Sequence, residues 1–377
     1  MTLPTVAVQL DGTPIESTVV EGVVINYGRQ RPSDLVEPAT ASITILTPSQ
    51  PWGFTIGSTV QIDGEVNSVD YRRFTGSVVQ IDAGKYVTNI TAISDSLGLY
   101  AAVQAPDRII PTWRSGTGEL MRYLIQQCGL DQFGLTADYG TTTAVTPYTV
   151  SAGSLLEQLR QLAALDVQGI LYEDQSGEAY FDDADGRSSI TPFVAIDADT
   201  VLDRWTASAT VNSIINRVTV AYNNNTGIVE MDDVPSQTAY GLRAYETDFN
   251  VVDSTDATLK ASKVLAGYSE PNWITNPITI ELGLIATNSD TAKMLQLVCG
   301  TPIDLQEVTD EIDVVPPDAF VEGYTETIRQ TTWTMDLWVS DVRVTRAPQR
   351  WSSVTPALAW SSVSGTLTWF DSIGVTL

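Results

Sequence analysis

Short runs of alternating apolar and polar residues follow one another along most of this chain. A period of two residues predicts β-strands, and the N-terminal part contains several such runs. They cover residues 6–10, 23–28, 41–46, 74–78 and 86–93. Asp11-Gly12 and Asp63-Gly64 have the composition of tight hairpin turns. The N-terminal part therefore reads as a small β-barrel or sandwich.

The same order of strands and glycines occurs twice. The two series are Ile43-Thr44-Ile45, Gly57 and Gly76, and Ile278-Thr279-Ile280, Gly300 and Gly323. Glycine permits a bend where a Cβ atom would clash. We therefore predict two copies of one β module, with Gly57 matching Gly300 and Gly76 matching Gly323. The pattern is short, and two unrelated β meanders would also share it.

The period changes after residue 104. Leu120, Leu124 and Cys128 lie on one face of a predicted helix that ends at Gly129. A second helix begins at Ser154, with Glu157 three residues later as in a capping box. A hairpin follows over residues 169–181, and another helix is predicted at 256–268.

These patterns predict a mainly β protein with an α+β insertion. The expected domains are a first β-barrel module (1–104), an α+β domain (105–200), a second β-barrel module with an accessory helix (201–346) and a Trp-rich C-terminal extension (347–377). A chain of 377 residues exceeds one core of typical size, which agrees with several domains.

The C-terminal extension carries Trp351, Trp360 and Trp369. So short a segment builds no core of its own, and large aromatic side chains dominate the energetics of interfaces. We expect these three indoles to bury against another subunit or partner. Packing against the second module of the same chain is the alternative.

The chain is strongly acidic, with a net charge of −26 from 46 acidic and 20 basic residues. This charge argues against a DNA-binding module, which needs a basic surface. An acidic surface suits DNA that passes without binding, or serves solubility alone. One run has no basic residue until Arg329 and comprises Asp304, Glu307, Asp310, Glu311, Asp313 and Asp318. We expect this run to line a channel, with the outer rim of a ring as the alternative.

Little catalytic chemistry is available. The chain has no histidine, which removes Ser-His-Asp and Cys-His catalysis and all histidine metal sites. Its two cysteines, Cys128 and Cys299, form no disulfide framework and are expected to be buried apolar groups. We expect no cofactor and no metal, and no enzymatic activity.

Two chemical alternatives stay open. With Gly186 at the sixth position of a calcium-binding loop, Phe181 and Pro192 occupy the first and twelfth positions, where acids are required, so the match fails. Calcium in an irregular acidic loop remains an alternative. A pair of carboxylates could also hydrolyse glycosides. No apolar run long enough to span a membrane and no secretion leader is visible, which indicates a soluble protein made in the cytoplasm.

Several segments resemble the tail hub proteins of tailed bacteriophages, known as minor tail proteins in siphophages. The resembling segments are residues 54–57 with 73–78, 155–159 with 169–177, 215–220, and 320–323 followed by Ile328 and Trp333. Residues 351–356 and 367–369 resemble the end of such proteins in phages of actinobacteria. Each motif is weak, and their order over residues 40–377 carries the resemblance. It implies a fold shared with the trimeric central hub of contractile-phage baseplates.

The resemblance implies a structural virion protein. As a homotrimer at the tail tip it would present six modules, match the six-fold tail tube to three-fold tip components and frame the DNA exit channel. Expected partners are the distal tail ring, the tape measure, and tip fibre or receptor-binding proteins, with genome DNA passing unbound and no stable membrane insertion. Assembly would take place in the host cytoplasm. The alternatives are a receptor-binding adhesin with the Trp-rich extension as its contact surface, and a cell-wall hydrolase.

Overall fold

The computed structural model describes most of the chain up to residue 341. The described residues are 4–31, 34–46, 53–110, 116–130, 135–137, 148–166, 169–183, 191–197, 200–201, 207–209, 211–248, 251–271, 273–275, 277–306 and 318–341. Strands predominate in them and helices lie between the β regions, so the mainly β prediction is confirmed. Trp351, Trp360 and Trp369 lie outside the described residues.

The N-terminal region is built from long strands. They are β1 (Thr5–Leu10), β2 (Thr13–Ile15), β3 (Val20–Gly28), β4 (Thr40–Leu46), β5 (Thr59–Val66), β6 (Val69–Ala83) and β7 (Val87–Ser94). Asp11 and Gly12 form the turn from β1 to β2 with φ of 49° and 71°, as a two-residue hairpin requires. The first predicted hairpin turn is confirmed.

The second predicted turn, at Asp63-Gly64, is wrong. Both residues lie inside β5, and the turn to β6 is formed by Asn67 and Ser68, with φ of 53° and 62°. Gly64 is needed for packing instead of turning. A Cβ atom at Gly64 would lie 2.6 Å from Cη2 of Trp333, a buried side chain contributed by the distant β24 (Trp333–Asp341).

The middle region contains three helices and several short strands. They are α1 (Ser96–Ala102), β8 (Gln104–Ala105), β9 (Arg108–Ile110), α2 (Thr117–Gln127), β10 (Leu135–Ala137), β11 (Tyr148–Val150), β12 (Gly153–Ser154), α3 (Leu155–Ala163), β13 (Ile170–Glu173) and β14 (Ala179–Asp182). The predicted capping box is present, since Glu157 N donates to Ser154 Oγ (3.2 Å) and Ser154 N donates to the Glu157 carboxylate (2.8 Å). The apolar faces of the helices form a core of their own with Phe181.

The C-terminal half returns to strands. Its elements are β15 (Val194–Asp197), β16 (Ala207–Ala209), β17 (Arg217–Tyr222), β18 (Gly227–Asp232), α4 (Val234–Tyr240), β19 (Ala244–Asp248), α5 (Ser254–Tyr268), β20 (Trp273–Thr275), β21 (Ile278–Glu281), α6 (Asn288–Met294), β22 (Pro302–Gln306), β23 (Asp318–Arg329) and β24. Strands β17–β19 form a separate sheet, and α5 packs on it through a third apolar cluster that includes Val218, Val220 and Ala261.

Twelve strands from both halves of the chain join in one sheet. Its order is β15-β22-β23-β3-β4-β7-β6-β5-β1-β2, and β21 attaches through β24 to β23. The halves meet where β3 pairs antiparallel with β23, from Gly22↔Arg329 to Gly28↔Gly323. The pairings of the described strands form no closed barrel. A single apolar core, including Ile43, Phe74 and Trp333, spans both halves.

The fold contains an internal repeat, and most of its strands lie in this sheet. Strands β16 and β20 pair with each other in a two-stranded sheet of their own. We call β3–β7 the first repeat, and β16 with β20–β24 the second repeat. Counterpart pairs of β5–β6 and β22–β23 stand 243 positions apart and are Thr59↔Ser77 with Pro302↔Phe320, Val60↔Gly76 with Ile303↔Ala319, and Gln61↔Thr75 with Asp304↔Asp318. The loop before each strand pair also matches, since Gly57 N donates to Val78 O (2.8 Å) and Gly300 N donates to Val321 O (2.7 Å).

The irregularities of the ladders repeat as well. The pairing of β6 with β7 skips Val79, and the pairing of β23 with β24 skips its counterpart Glu322. The register of β3 on β4 returns in the second repeat, where Val20↔Ile45 and Asn26↔Thr40 correspond to Val201↔Ile280 and Ala207↔Thr275. Agreement of bulges and registers in five strands indicates a duplicated module, because β-bulges are specific features of a fold.

The structure confirms one of the two predicted glycine matches. Gly57 and Gly300 are counterparts, with φ of 90° and 84°. The match of Gly76 with Gly323 is wrong, because the counterpart of Gly76 is Ala319. Different neighbours exclude a side chain at the two glycines. A Cβ atom at Gly76 would clash with Ile93 O of β7, and a Cβ atom at Gly323 would lie 2.6 Å from Tyr27 O of β3.

Candidate functional site

A buried ion pair lies beneath the junction of the two repeats. Arg73 comes from β6 and Glu326 from β23, and both side chains are fully buried. Arg73 Nε donates to the two Glu326 carboxylate oxygens at 3.1 and 3.2 Å, and Arg73 Nη1 donates to Leu295 O. Trp333 Nε1 donates to Glu326 Oε2 at 3.1 Å. Each charge thus has its partner and its hydrogen bonds inside the protein, as a buried ion pair requires.

Aromatic side chains enclose this ion pair. The Tyr27 and Tyr324 rings lie 5.1 Å apart, and the Arg73 guanidinium lies 5.9 Å from the centre of the Tyr324 ring. Tyr27 OH donates to Arg73 O at 2.9 Å. Burial raises the pKa of the Tyr27 and Tyr324 hydroxyls well above their usual value, so both stay neutral. Such a closed, internally paired cluster holds the repeats together.

A second acid stabilises the end of the junction. Glu322, the bulge residue of β23, is fully buried and accepts hydrogen bonds from Arg29 Nε (2.7 Å) and Ser340 Oγ (2.6 Å). The backbones of Arg29 and Glu322 are also in contact, since Arg29 N donates to Glu322 O at 3.0 Å. These contacts hold the bulge next to Arg29, where the pairing of β23 with β3 begins.

The hairpin of β13 and β14 connects the helical region to both repeats. Glu173 accepts from Leu97 N (2.5 Å) and Ala39 N (3.5 Å), next to the first repeat. Gln175 Nε2 donates to Tyr324 OH (3.1 Å) and to Leu297 O, in the second repeat. Burial raises the pKa of the Glu173 carboxyl to about 7, although these backbone donors act in the opposite direction.

Replacement of Glu173 by Gln should flatten the pH dependence of stability. The pKa of Glu173 is about 7 in the folded protein and has its usual value of 4.5 in the unfolded chain. The unfolding free energy of the wild type is therefore highest below about pH 4.5 and falls as the pH rises towards 7. The loss amounts to roughly 3 kcal/mol of unfolding free energy. Denaturant unfolding of both proteins between pH 4.5 and 8 measures it as their difference.

Glu178→Gln, on the exposed side of the same hairpin, is the matched control and should keep the wild-type profile. If Glu173→Gln also keeps that profile, Glu173 does not titrate in this range.

Two of the six proposed channel residues lie on described strands. Asp304 on β22 and Asp318 at the start of β23 are directly paired across the ladder, so the structure brings the two ends of the acidic run together. Glu307, Asp310, Glu311 and Asp313 lie outside the described residues.

Both cysteines were expected to be buried, and the structure buries only one of them. Cys299 is buried against β3, where a Cβ atom at Gly28 would lie 2.5 Å from its Sγ atom, and Cys128 is half-buried at the end of α2. Among the described residues, no group of three or more His, Cys, Asp or Glu side chains is placed to hold a metal ion. None of the helices in the described part of the chain is long and apolar enough to span a membrane.

The Arg73–Glu326 pair was missed by the sequence analysis, although its signal is present. Tyr324, Glu326 and Ile328 alternate with Thr325 and Thr327, which places an acid on the apolar face of a strand. A buried acid at that position needs a cation, hydrogen-bond donors or protonation to offset its burial. The sequence gives no means of choosing Arg73, which lies 253 positions away.

Comparison with solved structures shows where this fold occurs. The chain is similar to a tail protein from Neisseria meningitidis MC58, with a TM-score of 0.67 and 14% identity over 92% of this chain and 99% of that one. It is also similar to the 43 kDa tail protein of prophage MuSo2 from Shewanella oneidensis, with a TM-score of 0.61 and 11% identity over 91% and 99%.

A third similar structure belongs to a secretion system. The E. coli c3393 protein, a type VI secretion component described as similar to the T4 phage tail proteins gp27 and gp5, aligns with a TM-score of 0.51 and 9% identity over 91% of this chain and 79% of that one. No family model matches the sequence, and no curated protein matches it. The chain has the fold of phage tail proteins.

Proposed function

We propose that this chain is a structural protein of a phage tail. The observation that carries the proposal is the duplicated five-strand module, whose two copies are joined through β3 and β23, within a fold found in phage tail proteins. A chain with two similar modules suits assembly around an axis. The interior of the junction is closed by paired charges and aromatic rings, which supports a framework role.

In this proposal three chains form a hub at the tail tip. Each repeat acts as one small barrel-like module, so a trimer presents six modules to a six-fold tail tube and three-fold symmetry to the tip. Its neighbours are other tail proteins: the distal tail ring, the tape measure, and tip fibre or receptor-binding proteins. The similarity to a type VI component described as like T4 tail proteins supports a place in a tail or baseplate. Phages of actinobacteria are the proposed source.

Labelling of intact particles tests this placement. Antibodies against the chain, viewed by electron microscopy, should bind one end of the tail and leave the head and tube unlabelled. Label along the tube, or no label on particles that contain the chain, contradicts the proposal.

The segment from Asp304 to Asp318 is the proposed lining of the DNA channel. Its acids repel phosphate groups and leave no cation to retain the genome as it passes. Replacement of Glu307, Asp310, Glu311 and Asp313 by Lys should slow genome ejection, measured as the rate of DNA release from particles, without preventing assembly. Replacement of the same four by Gln separates loss of acid from gain of base. Ejection at the wild-type rate in the Lys variant refutes the lining role.

The Trp-rich extension is the proposed contact with a neighbouring subunit or protein. Deletion of residues 347–377 removes Trp351, Trp360 and Trp369 together, and loss of one such anchor typically costs about 2 kcal/mol of binding. The truncated chain should fail to enter particles while its purified form keeps the wild-type melting temperature. Normal incorporation contradicts the contact, and a lower melting temperature indicates packing within the chain.

A further inference from the structure

The counterpart strands β23 and β6 differ in which strands pair along one of their two edges. In the second repeat, β23 pairs with β22 up to Phe320 and, after the bulge at Glu322, with β3 over Gly323–Arg329 along the same edge. In the first repeat, β6 pairs with β5 up to Ser77, and after the bulge at Val79 no described strand pairs along that edge.

The residues at these two counterpart edges also differ in how deeply they are buried. Gly323, Tyr324, Glu326 and Ile328 are buried beneath or beside β3. Of their counterparts at the end of β6 and in the turn after it, Gln80, Ala83 and Lys85 are exposed and Ile81 is half-buried. Val79, the bulge residue, and Tyr86, in the turn after β6, leave 46% and 69% of their surfaces exposed. A strand edge with exposed apolar side chains is a template for another strand.

The occupant that fits this edge is contained in the repeat itself. β3 covers β23, and β16 corresponds to part of β3 in the second repeat, as the register of Ala207 on Thr275 shows. Among the described strands, β16 pairs with β20 alone, so its second edge is also without a partner strand. One chain thus carries both halves of a second junction.

We propose that β16 of one chain pairs antiparallel with the end of β6 of a second copy of the same chain. The register is that of β3 on β23. Thr325↔Asn26 then corresponds to Asp82↔Ala207 between chains, and Gly323↔Gly28 corresponds to Gln80↔Ala209. The contact is head-to-tail, so each chain offers one edge to either side, as in a cyclic assembly. Closure of the ring at three chains rests on the proposed function, whereas the strand pairing does not.

Engineered disulfides test the register. Directly paired residues in antiparallel strands have Cα separations within the range that a disulfide spans, whereas diagonal neighbours about 7–8 Å apart exceed it. Asp82→Cys with Ala207→Cys should give covalent multimers, up to three chains, on a denaturing gel after oxidation. Gln80→Cys with Ala209→Cys is a second pair in the same register, should one variant not fold. The wild-type chain, with Cys128 and Cys299, is oxidised alongside.

Two control variants make the result specific. Asn26→Cys with Thr325→Cys, the equivalent pair within the chain, should crosslink without any increase in mass. Asp82→Cys with Ala209→Cys is out of register and should crosslink at least tenfold less than the in-register pair. Monomers alone from both in-register pairs, or equal crosslinking in and out of register, overturn the proposal.

Native mass measured on the same samples separates the two ideas. A native trimer without interchain crosslinks refutes the strand pairing and leaves the trimeric hub intact. Crosslinked chains that continue beyond three support the pairing and refute closure as a trimer.

Discussion

Glu326→Gln should destabilise the protein by about 3–5 kcal/mol, which is a large part of the stability of a typical domain. The substitution removes the charge that faces Arg73 in a fully buried position, and it leaves the guanidinium without a counter-ion. The carboxylate also accepts a hydrogen bond from Trp333 Nε1, which Gln maintains only through its single oxygen. Equilibrium unfolding in denaturant at constant pH measures the change in unfolding free energy.

Two controls separate a buried charge from a lost contact. The double replacement Arg73→Met with Glu326→Leu removes both charges and should recover much of the loss, because paired apolar groups need no counter-ion. Asp232→Asn breaks the exposed Arg217–Asp232 pair, whose N–O distances are 2.7 and 2.8 Å, and should change stability little. If Glu326→Gln is as mild as Asp232→Asn, the ion pair does not hold the junction.

Gly323→Ala should separate the two repeats. An added Cβ atom would lie 2.5 Å from Arg29 O, 2.6 Å from Tyr27 O and 2.7 Å from Arg29 N, all of them backbone atoms of or next to β3. Backbone atoms cannot rotate away, so β3 must shift from β23 by about 1 Å or more. We expect a loss of several kcal/mol, on the scale of overpacked cores. Hydrogen exchange of the Gly22–Gly28 amides should rise more than exchange elsewhere in the sheet.

Gly22→Ala is the matched control on the same strand pair. The nearest atom to a Cβ there is Ile328 O at 3.5 Å, which is an ordinary contact. This variant should unfold within about 1 kcal/mol of wild type and keep slow exchange at the junction. Equal effects of the two substitutions would mean that close approach at Gly323 does not determine the junction.

Local chemistry made part of the fold predictable. Ser154 and Glu157 marked a helix start because their hydrogen bonds span three residues. Gly57 and Gly300 marked corresponding turns because only glycine adopts their positive φ without strain. Gly64 and Gly76 were misread, since the atoms that exclude a side chain there come from Trp333 and from Ile93.

Local sequence patterns could not predict that the two repeats pair with each other. β3 and β23 lie about 300 residues apart in sequence, and alternation specifies the face of each strand without naming its neighbour. For the same reason, the sequence did not predict the pairing of Arg73 with Glu326. The domain limits at residues 104, 200 and 346 stay predictions.

A cryo-electron microscopy reconstruction of the purified assembly, refined without imposed symmetry, tests the central claim most directly. We predict a ring of three chains with six similar modules at equal spacing, joined alternately by the β3–β23 junction and by its counterpart between chains. A monomer, or a ring in which the repeats of neighbouring chains meet through other surfaces, would contradict it.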